Sequence, residues 1–286
     1  MSTISRVTVL GTGVLGLQIA YQAAFHDFAV TADDLNDEVM ENSADRFAQL
    51  ARTYTADGVA GATAGKADAA LDNLHLTADL AEAVVHADLV IEAIPENLEL
   101  KRALYRKLGD LAPDLAIFAT NSSTLLPSDL KNFTGRPDRF LALHYANHVW
   151  RQNTAEIMGT IDTDPEVYAA VVEFAKCSGL VPIEIKKEKA GYLLNSLLIP
   201  LLDSAAALLI EGFADPETID KTWRIGTGAQ VGPFQIFDIV GLQTAYNIAS
   251  ANPDPQKQKL AKYLKDNFVD KGKLGIVTGE GFYVYR

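Results

Sequence analysis

A single cysteine, three methionines and two tryptophans occur in 286 residues. Cys177 has no partner for an intrachain disulfide, which suits a reducing compartment. Flanked by Val, Phe and Lys in a helical setting, it reads as a small buried hydrophobe. Positive charge is also scarce: 25 Lys and Arg stand against 37 Asp and Glu, for a net charge of −12. That balance argues against a broad basic face for nucleic acid or an anionic membrane, so cations for a phosphate-bearing ligand must be placed locally. No basic start followed by an unbroken apolar core opens the chain, and a cytoplasmic location is expected. The longest apolar stretch, Tyr192 to Ile210, is interrupted by Asn195, Ser196, Pro200, Asp203 and Ser204. It predicts a buried helix of a soluble domain rather than a membrane span. Among five histidines, His144 and His148 have no third ligand at matching spacing, so no metal site is expected.

Hydrophobic residues make up 48% of the chain and charged residues 22%, enough to build and solubilise one large or two ordinary domains. The apolar run from Ile4 breaks at Gly11-Thr-Gly13-Val-Leu-Gly16, and a helical pattern follows from Val14 to Phe25. Glycines at G-x-G-x-x-G between a strand and a helix allow a tight turn, let the backbone approach a pyrophosphate, and let the helix pack close to the sheet. The free N–H groups and positive dipole end of the helix then face the anion. The same triplet also occurs in plain turns, but a second strand-like run, Phe28 to Ala32, ends at Asp33-Asp34. Asp34 follows Gly16 by 18 positions, where an acid that holds the adenosine ribose belongs. A carboxylate there favours NAD over NADP; a helix N-cap is its plainer alternative.

After a polar, alanine-rich stretch from 36 to 73, read as two helices broken near Asp57-Gly58 and Gly65, strands and helices alternate. Strands are expected at 74–77, 89–94, 116–119, 140–144, 155–159 and 181–185, with a helix that runs to Val85 after the first of them and another at 98–111. Alternation of this kind implies a mostly parallel, doubly wound α/β sheet with a helical hairpin insertion. From Ala190 the pattern turns helical, over 190–212, 216–226, 233–249 and 255–268, each bounded by Pro or Gly. Residues 1–188 are therefore read as a nucleotide-binding domain and 189–286 as an all-α domain, joined at Lys186-Lys-Glu-Lys189. The apolar faces of the C-terminal helices, with Leu197, Leu201, Leu208 and Ile210, suggest a homodimer formed through that domain.

Thr120-Asn121-Ser122-Ser123-Thr124 follows the fifth strand, where loops at the carboxyl ends of a doubly wound sheet line the ligand crevice. Its hydroxyls and the Asn121 amide are expected to face a ligand, with an ordinary N-cap as the alternative. His144 ends the next strand, followed by Asn147 and, twelve residues on, Glu156. A neutral imidazole there can take an alcohol proton near pH 7, and a carboxylate can hold its tautomer. A hydrogen-bonded structural histidine is the competing reading.

These stretches resemble the 3-hydroxyacyl-CoA dehydrogenase family, of the 3-hydroxybutyryl-CoA type, along nearly the whole chain. The likeness rests on Gly11–Gly16 with Asp34, Val90 to Lys101, Thr120 to Leu125, His144 to Asn147 with Glu156, Gly191 to Asn195, Val231 to Phe234 with Asp238, Gly241-Leu242, and Thr278 to Tyr283. The resemblance implies a Rossmann-like fold, NAD as cofactor, and reversible oxidation of an L-3-hydroxyacyl-CoA at C3, as in fatty acid metabolism. It assigns His144 as general base, Glu156 as its orienting partner, and Ser123 and Asn195 to the substrate oxygen. Gly11, Gly13, Gly16, Asp34, Glu96, Lys101, Ser123 and Asn147 fall to the cofactor.

Departures bear on the substrate. Where the family has proline after the Asn of His-x-x-Asn, this chain has His148, and where it has Arg after the second Asn, this chain has Ser196. Val277 replaces a lysine near the cofactor, and Leu50 and Asp57 replace a serine and a lysine that touch CoA. Losing a cation and gaining an acid weakens a phosphate-rich ligand unless Arg46, Arg52 or Lys66 compensates. Two alternatives follow: the same chemistry on a smaller, non-CoA 3-hydroxy acid such as a sugar acid or a carnitine-like compound, or a non-catalytic NAD-binding relative.

Overall fold

A computed structural model describes residues 4–285. Six strands run parallel: β1 (Arg6–Leu10), β2 (Ala29–Asp33), β3 (Leu74–Thr77), β4 (Leu89–Glu92), β5 (Ile117–Thr120) and β6 (Phe140–Tyr145). β7 (Thr154–Gly159) pairs antiparallel with β6, and β8 (Val181–Ile185) runs parallel to β7. The sheet order is β3-β2-β1-β4-β5-β6-β7-β8. Its first six strands form the doubly wound arrangement that places ligands at the carboxyl ends, where the order reverses between β1 and β4.

The helices of this unit are α1 (Val14–Phe25), α2 (Asp37–Ala56), α3 (Lys66–Ala69), α4 (Leu80–Val84), α5 (Leu98–Leu111) and α6 (Pro165–Cys177). Alternate strand residues divide between two cores, as the twofold period of a strand requires. Val7, Val9, Leu89, Ile91, Leu141 and Leu143 pack with α1, α2 and α6, whereas Val90, Phe118 and Phe140 pack with α4 and α5. α1 is buried nearly all round, which explains why its sequence lacks a polar face.

The expected second helix of the 36–73 stretch is only the four-residue α3, set between short 3₁₀ turns at Ala62–Ala64 and Ala70–Asn73. Gly61 and Gly65, both left-handed, break the chain there. The run Pro165–Cys177, whose helical character the sequence reading saw only around Cys177, is α6, started by Asp164, whose side chain accepts from Glu166 N. Cys177 lies in the last turn of α6 and is exposed, not buried; the apolar face of that helix is carried by Val167, Val171, Phe174 and Ala175.

The chain divides into two compact units after Leu193, five residues beyond the expected junction at 188. The extra residues stay with the first unit because the Tyr192 hydroxyl donates to Ser122 O (2.8 Å) and Leu193 N donates to Glu156 Oε1 (2.9 Å). The second unit holds most of α7 (Tyr192–Ile210) and α8 (Pro216–Thr227), α9 (Pro233–Val240), α10 (Leu242–Ala251) and α11 (Pro255–Asn267). The single helix expected over 233–249 is split at Gly241, whose φ of +94° a helix cannot contain. Two buried aspartates organise this unit. Asp220 accepts from Phe234 N and Gln235 N at the start of α9, and Asp238 accepts from Phe282 N and Tyr283 N of the tail. A Cβ on Gly232 or Gly281 would press into these carboxylates, at 2.3 and 2.1 Å. The Val-Gly-Pro-Phe and Thr-Gly-Glu-Gly-Phe-Tyr stretches are thus clamps of the fold.

α7 departs from the expectation of a buried helix: only 17% of its apolar window is buried. Ala205 and Ala206 supply its part of the core, whereas Leu197 and Leu208 are exposed.

Burial raises the Asp33 carboxyl at the end of β2 to about 7, and the neighbouring charges of Asp34 and Asp79 add to the effect. A carboxyl raised on folding contributes stability that is whole below about pH 4 and lost as the pH climbs through about 7. Asp33→Asn is therefore expected to raise the thermal midpoint above wild type at pH 8 and to leave it nearly unchanged at pH 4, in paired thermal melts. Equal shifts at both pH values would contradict this.

Candidate active site

Gly11 turns the chain out of β1 at φ +98°, and an added Cβ would lie 2.7 Å from Ala93 O. One on Gly16 would lie 1.9 Å from Gly11 O, so that glycine seats α1 against the turn. A Cβ on Gly13 would meet no protein atom within 4 Å. The space over Gly13 is therefore open to a ligand at the start of α1, as a dinucleotide diphosphate requires. Asp34 sits at the rim of the turn. Its Oδ2 accepts from Thr12 N (2.6 Å) and Thr12 Oγ1 (2.7 Å), while Oδ1 accepts from Leu35 N (2.8 Å). Arg46 reaches the same turn from α2 and donates to Thr12 O (2.8 Å). The residues present fit an adenine dinucleotide: an open glycine turn for its diphosphate and a carboxylate beside it for its ribose.

The reacting groups depend on the register of β6 and β7. His144 and Glu156 are direct cross-strand partners, and in an antiparallel pair such residues share a face with neighbouring Cβ atoms. His144 Nδ1 lies 3.1 Å from Glu156 Oε2, and Ser123 Oγ lies 3.1 Å from His144 Nε2. Both members of the pair are buried, His144 at 6% and Glu156 at 4% exposure. An ionised carboxylate only accepts, so Nδ1 carries the proton toward Glu156 and Nε2 is left as the base.

Tyr192 completes the arrangement and was not singled out from the sequence. Its ring stacks on the imidazole with centroids 4.3 Å apart and an interplanar angle of 13°. Gly191 and Tyr192 both take left-handed backbone, at φ +79° and +51°, and Gly191 N donates to Ser123 O (3.1 Å). The Gly191-Tyr192-Leu193 segment therefore holds the serine loop, the imidazole and Glu156 together. Its signals in the chain were a glycine ahead of an aromatic and its place in the Gly191–Asn195 stretch of the family resemblance. Asn195 lies on α7 in the second unit.

Below the serine loop is a buried charge cluster. Glu92, fully buried at the end of β4, accepts from Lys101 Nζ (2.5 Å), Thr120 Oγ1 (2.8 Å) and Ile94 N (3.0 Å). Lys101 lies on the inner stripe of α5 with Tyr105 and Leu108, is 1% exposed, and also donates to Ile94 O (3.2 Å) with Glu96 Oε2 at 3.5 Å. Three oxygens thus occupy its ammonium. This places Lys101 beneath the serine loop, with its ammonium held by oxygens of the protein. Glu96 holds the serine loop: Oε1 accepts from Ser122 Oγ, Thr124 N and Thr124 Oγ1 at 2.6 to 2.8 Å. Burial alone would raise its carboxyl, but those bonds and the charge of Lys101 outweigh it and hold Glu96 down to about 2. The sequence signal for Glu92 was a charge inside an otherwise apolar strand. Asn121 accepts from Tyr145 N (3.0 Å) through Oδ1 and ties β5 to β6.

Asn147 is exposed just beyond β6, with Oδ1 accepting from Gln18 Nε2 of α1 (2.8 Å). His148 follows at φ +58° and donates its N–H to Gln18 Oε1 (2.8 Å). Proline is locked near −65° and has no N–H, so the family's proline cannot adopt this geometry. Asp57, at the end of α2, accepts from Trp150 Nε1 (2.6 Å) and Arg151 Nε (2.7 Å). Those hydrogen bonds, Arg151 first, lower its carboxyl, so its charge is already paired. Leu50 lines a cavity of about 200 Å³ between α1 and α2 with Val14, Leu17, Gln18 and Arg46. Lys66 pairs with Asp27 (3.8 Å) and lies over the Phe25 ring.

Two family models match the chain: the 3-hydroxyacyl-CoA dehydrogenase NAD-binding domain over residues 6–189 and the C-terminal domain of the same family over 191–285. The mitochondrial hydroxyacyl-coenzyme A dehydrogenase of Rattus norvegicus is 34% identical over 290 residues, covering 99% of this chain and 92% of its own length. Among solved structures, a diketoreductase described by its substrate-directed dual catalysis of dicarbonyl compounds is 66% identical with a TM-score of 0.96, covering 100% of both chains. The (S)-3-hydroxybutyryl-CoA dehydrogenase PaaH1 of Ralstonia eutropha is 28% identical with a TM-score of 0.80, covering 99% and 100%.

Removing one partner of a buried ion pair strands the other charge. Lys101→Met is expected to cost about 3–5 kcal/mol in denaturant unfolding, and Lys101→Met combined with Glu92→Met to recover most of that loss. A single variant as stable as wild type would contradict the pairing.

Proposed function

The chain belongs to the 3-hydroxyacyl-CoA dehydrogenase family, and from that premise we propose that it interconverts an L-3-hydroxyacyl-CoA and the 3-oxoacyl-CoA. It is an NAD-dependent oxidoreductase acting on a CH–OH group. The observation that carries the reading is the Ser123–His144–Glu156 chain of hydrogen bonds at the carboxyl end of β6. In oxidation His144 Nε2 takes the C3 hydroxyl proton while Nδ1–H stays bonded to Glu156, whose charge balances the imidazolium that forms. NAD, when bound, supplies the hydride acceptor for C3 and returns the hydride in the reverse direction. In reduction the Nε2–H gives its proton to the forming alkoxide. Ser123 Oγ, already within bonding reach of Nε2, holds the same oxygen. The glycine turn and Asp34 hold the dinucleotide, and Asn147 completes the ligand contacts.

A second reading changes the substrate and keeps the chemistry: a dicarbonyl compound or 3-oxo acid without CoA. The 66% identical diketoreductase supports it. So do Leu50 and the Arg151-paired Asp57 in the 36–73 stretch, which leave few cations for the phosphates of CoA. We further propose a homodimer that covers the exposed apolar side of α7, a reading supported by Leu197 and Leu208. A cytoplasmic setting is supported by the single cysteine.

His144→Gln is expected to lower kcat by about 10²- to 10⁴-fold with little change in NAD affinity; unchanged turnover would remove the mechanism. With NADH as reductant, the first reading expects acetoacetyl-CoA to be turned over in preference to free acetoacetate and other free 3-oxo compounds. If only the free compounds react, the second reading holds. Asp34→Ala should weaken NAD and narrow the preference over NADP, checked by paired titrations.

A further inference from the structure

We propose that Gln18, on the helix that follows the glycine turn, orients the Asn147 amide so that the site presents hydrogen-bond donors to a ligand carbonyl oxygen there. The inference rests on the reading of Asn147 as a ligand contact. A surface asparagine can turn either end outward, but this one is constrained from behind. His148 N and Val149 N approach one atom of the Gln18 amide, at 2.8 and 3.3 Å. A backbone N–H cannot exchange donor for acceptor, so that atom is Oε1. The other end, Nε2, is then a donor, and the Asn147 atom 2.8 Å away must be Oδ1. The NH₂ of Asn147 is left for the exposed side. Two backbone groups thus set, through two amides in series, a pair of donors at the edge of the site.

Gln18 is 6% exposed and spends both ends of its amide on the segment three to five residues beyond His144. It thereby joins the cofactor helix to the strand that bears the base. His148 belongs to the same device, because only a residue with an N–H and left-handed backbone can meet Gln18 there. The ligand group is a carbonyl oxygen, either of the cofactor carboxamide or of the substrate.

Gln18→Glu separates orientation from packing. The carboxylate still accepts both backbone N–H groups, so the segment keeps its path. It cannot donate to Asn147, whose amide must turn and expose Oδ1. If the carbonyl is that of the cofactor, NADH binding followed by fluorescence should weaken about 10- to 100-fold. If it is that of the substrate, KM for the oxo substrate should rise by a similar factor with NADH affinity kept. Asn147→Asp, which has no donor, should repeat the loss in the same arm. In the wild-type protein, the Asn147 side-chain NH₂ resonances, identified by their absence in Asn147→Asp, should shift when that ligand is added. Loss in Asn147→Ala and Asn147→Asp with wild-type behaviour in Gln18→Glu would overturn the role of Gln18 alone. No effect in Asn147→Ala, or resonances unmoved by either ligand, would overturn the reading of Asn147 and this inference with it.

Discussion

The antiparallel pairing of β6 with β7 is the constraint on which the rest of the site depends. It sets His144 opposite Glu156 on one face of the sheet, whereas the strands before β6 all run parallel. A slip of one residue would carry Glu156 to the other face, toward the core formed with α1 and α6, and leave His144 without an acceptor for Nδ1–H. The register is secured from several sides. Ala142 and Met158 pack with Tyr192 behind the pair, Leu193 N takes the second oxygen of Glu156, and the stacked phenol keeps the imidazole from tilting. Each of these ties lies in the first unit, so the base and its carboxylate are built on rigid strands.

Charge is rationed in a second layer beneath them. The buried Glu92–Lys101 pair satisfies strand and helix groups at once, and Glu96 converts one carboxylate oxygen into an anchor for Ser122 and Thr124. These residues do not need to touch a ligand to matter, because they keep the Ser123 hydroxyl where the imidazole can reach it. The same economy operates at the outer edge of the unit, where Asp57 is matched by Arg151 and Arg46 is spent on the glycine turn. An acidic protein that supports the phosphates of one dinucleotide has few cations left for those of a second nucleotide-like ligand.

Much of this was legible in the chain where the cause is local. The glycine turn lies within six residues, and the strand that feeds it and the helix that leaves it have strong periodic patterns, so Gly11, Gly16 and Asp34 lie where spacing predicts. His144 and Ser123 were singled out because they lie at and just beyond the ends of strands, and Glu156 as a nearby carboxylate; the structure brings the three side chains together. What escaped depends on tertiary context. The left-handed backbone of Tyr192 goes with a ring stacked on His144 and a hydroxyl bonded to Ser122 O, both distant in sequence, and Lys101 became a buried cation only once α5 was laid over β4. Cys177 faces outward because the helix turns its apolar stripe elsewhere. α7 reads as a core helix by composition, although most of its apolar surface finds no cover within one chain. Gly241 could be seen in the sequence, but its break in the 233–249 helix depends on a positive φ beside a long-range bond from Leu242 N to Leu274 O.

The chemistry turns on a single oxygen atom, the one that becomes the alcohol, lying between His144 Nε2 and Ser123 Oγ with Glu156 behind the ring. A crystal structure of the protein with NADH and an unreactive 3-oxo substrate analogue tests this most directly. The C3 oxygen is expected within about 3.2 Å of both His144 Nε2 and Ser123 Oγ, the reach of a hydrogen bond. A C3 oxygen bound elsewhere, with His144 and Glu156 still paired but facing no substrate, would contradict it.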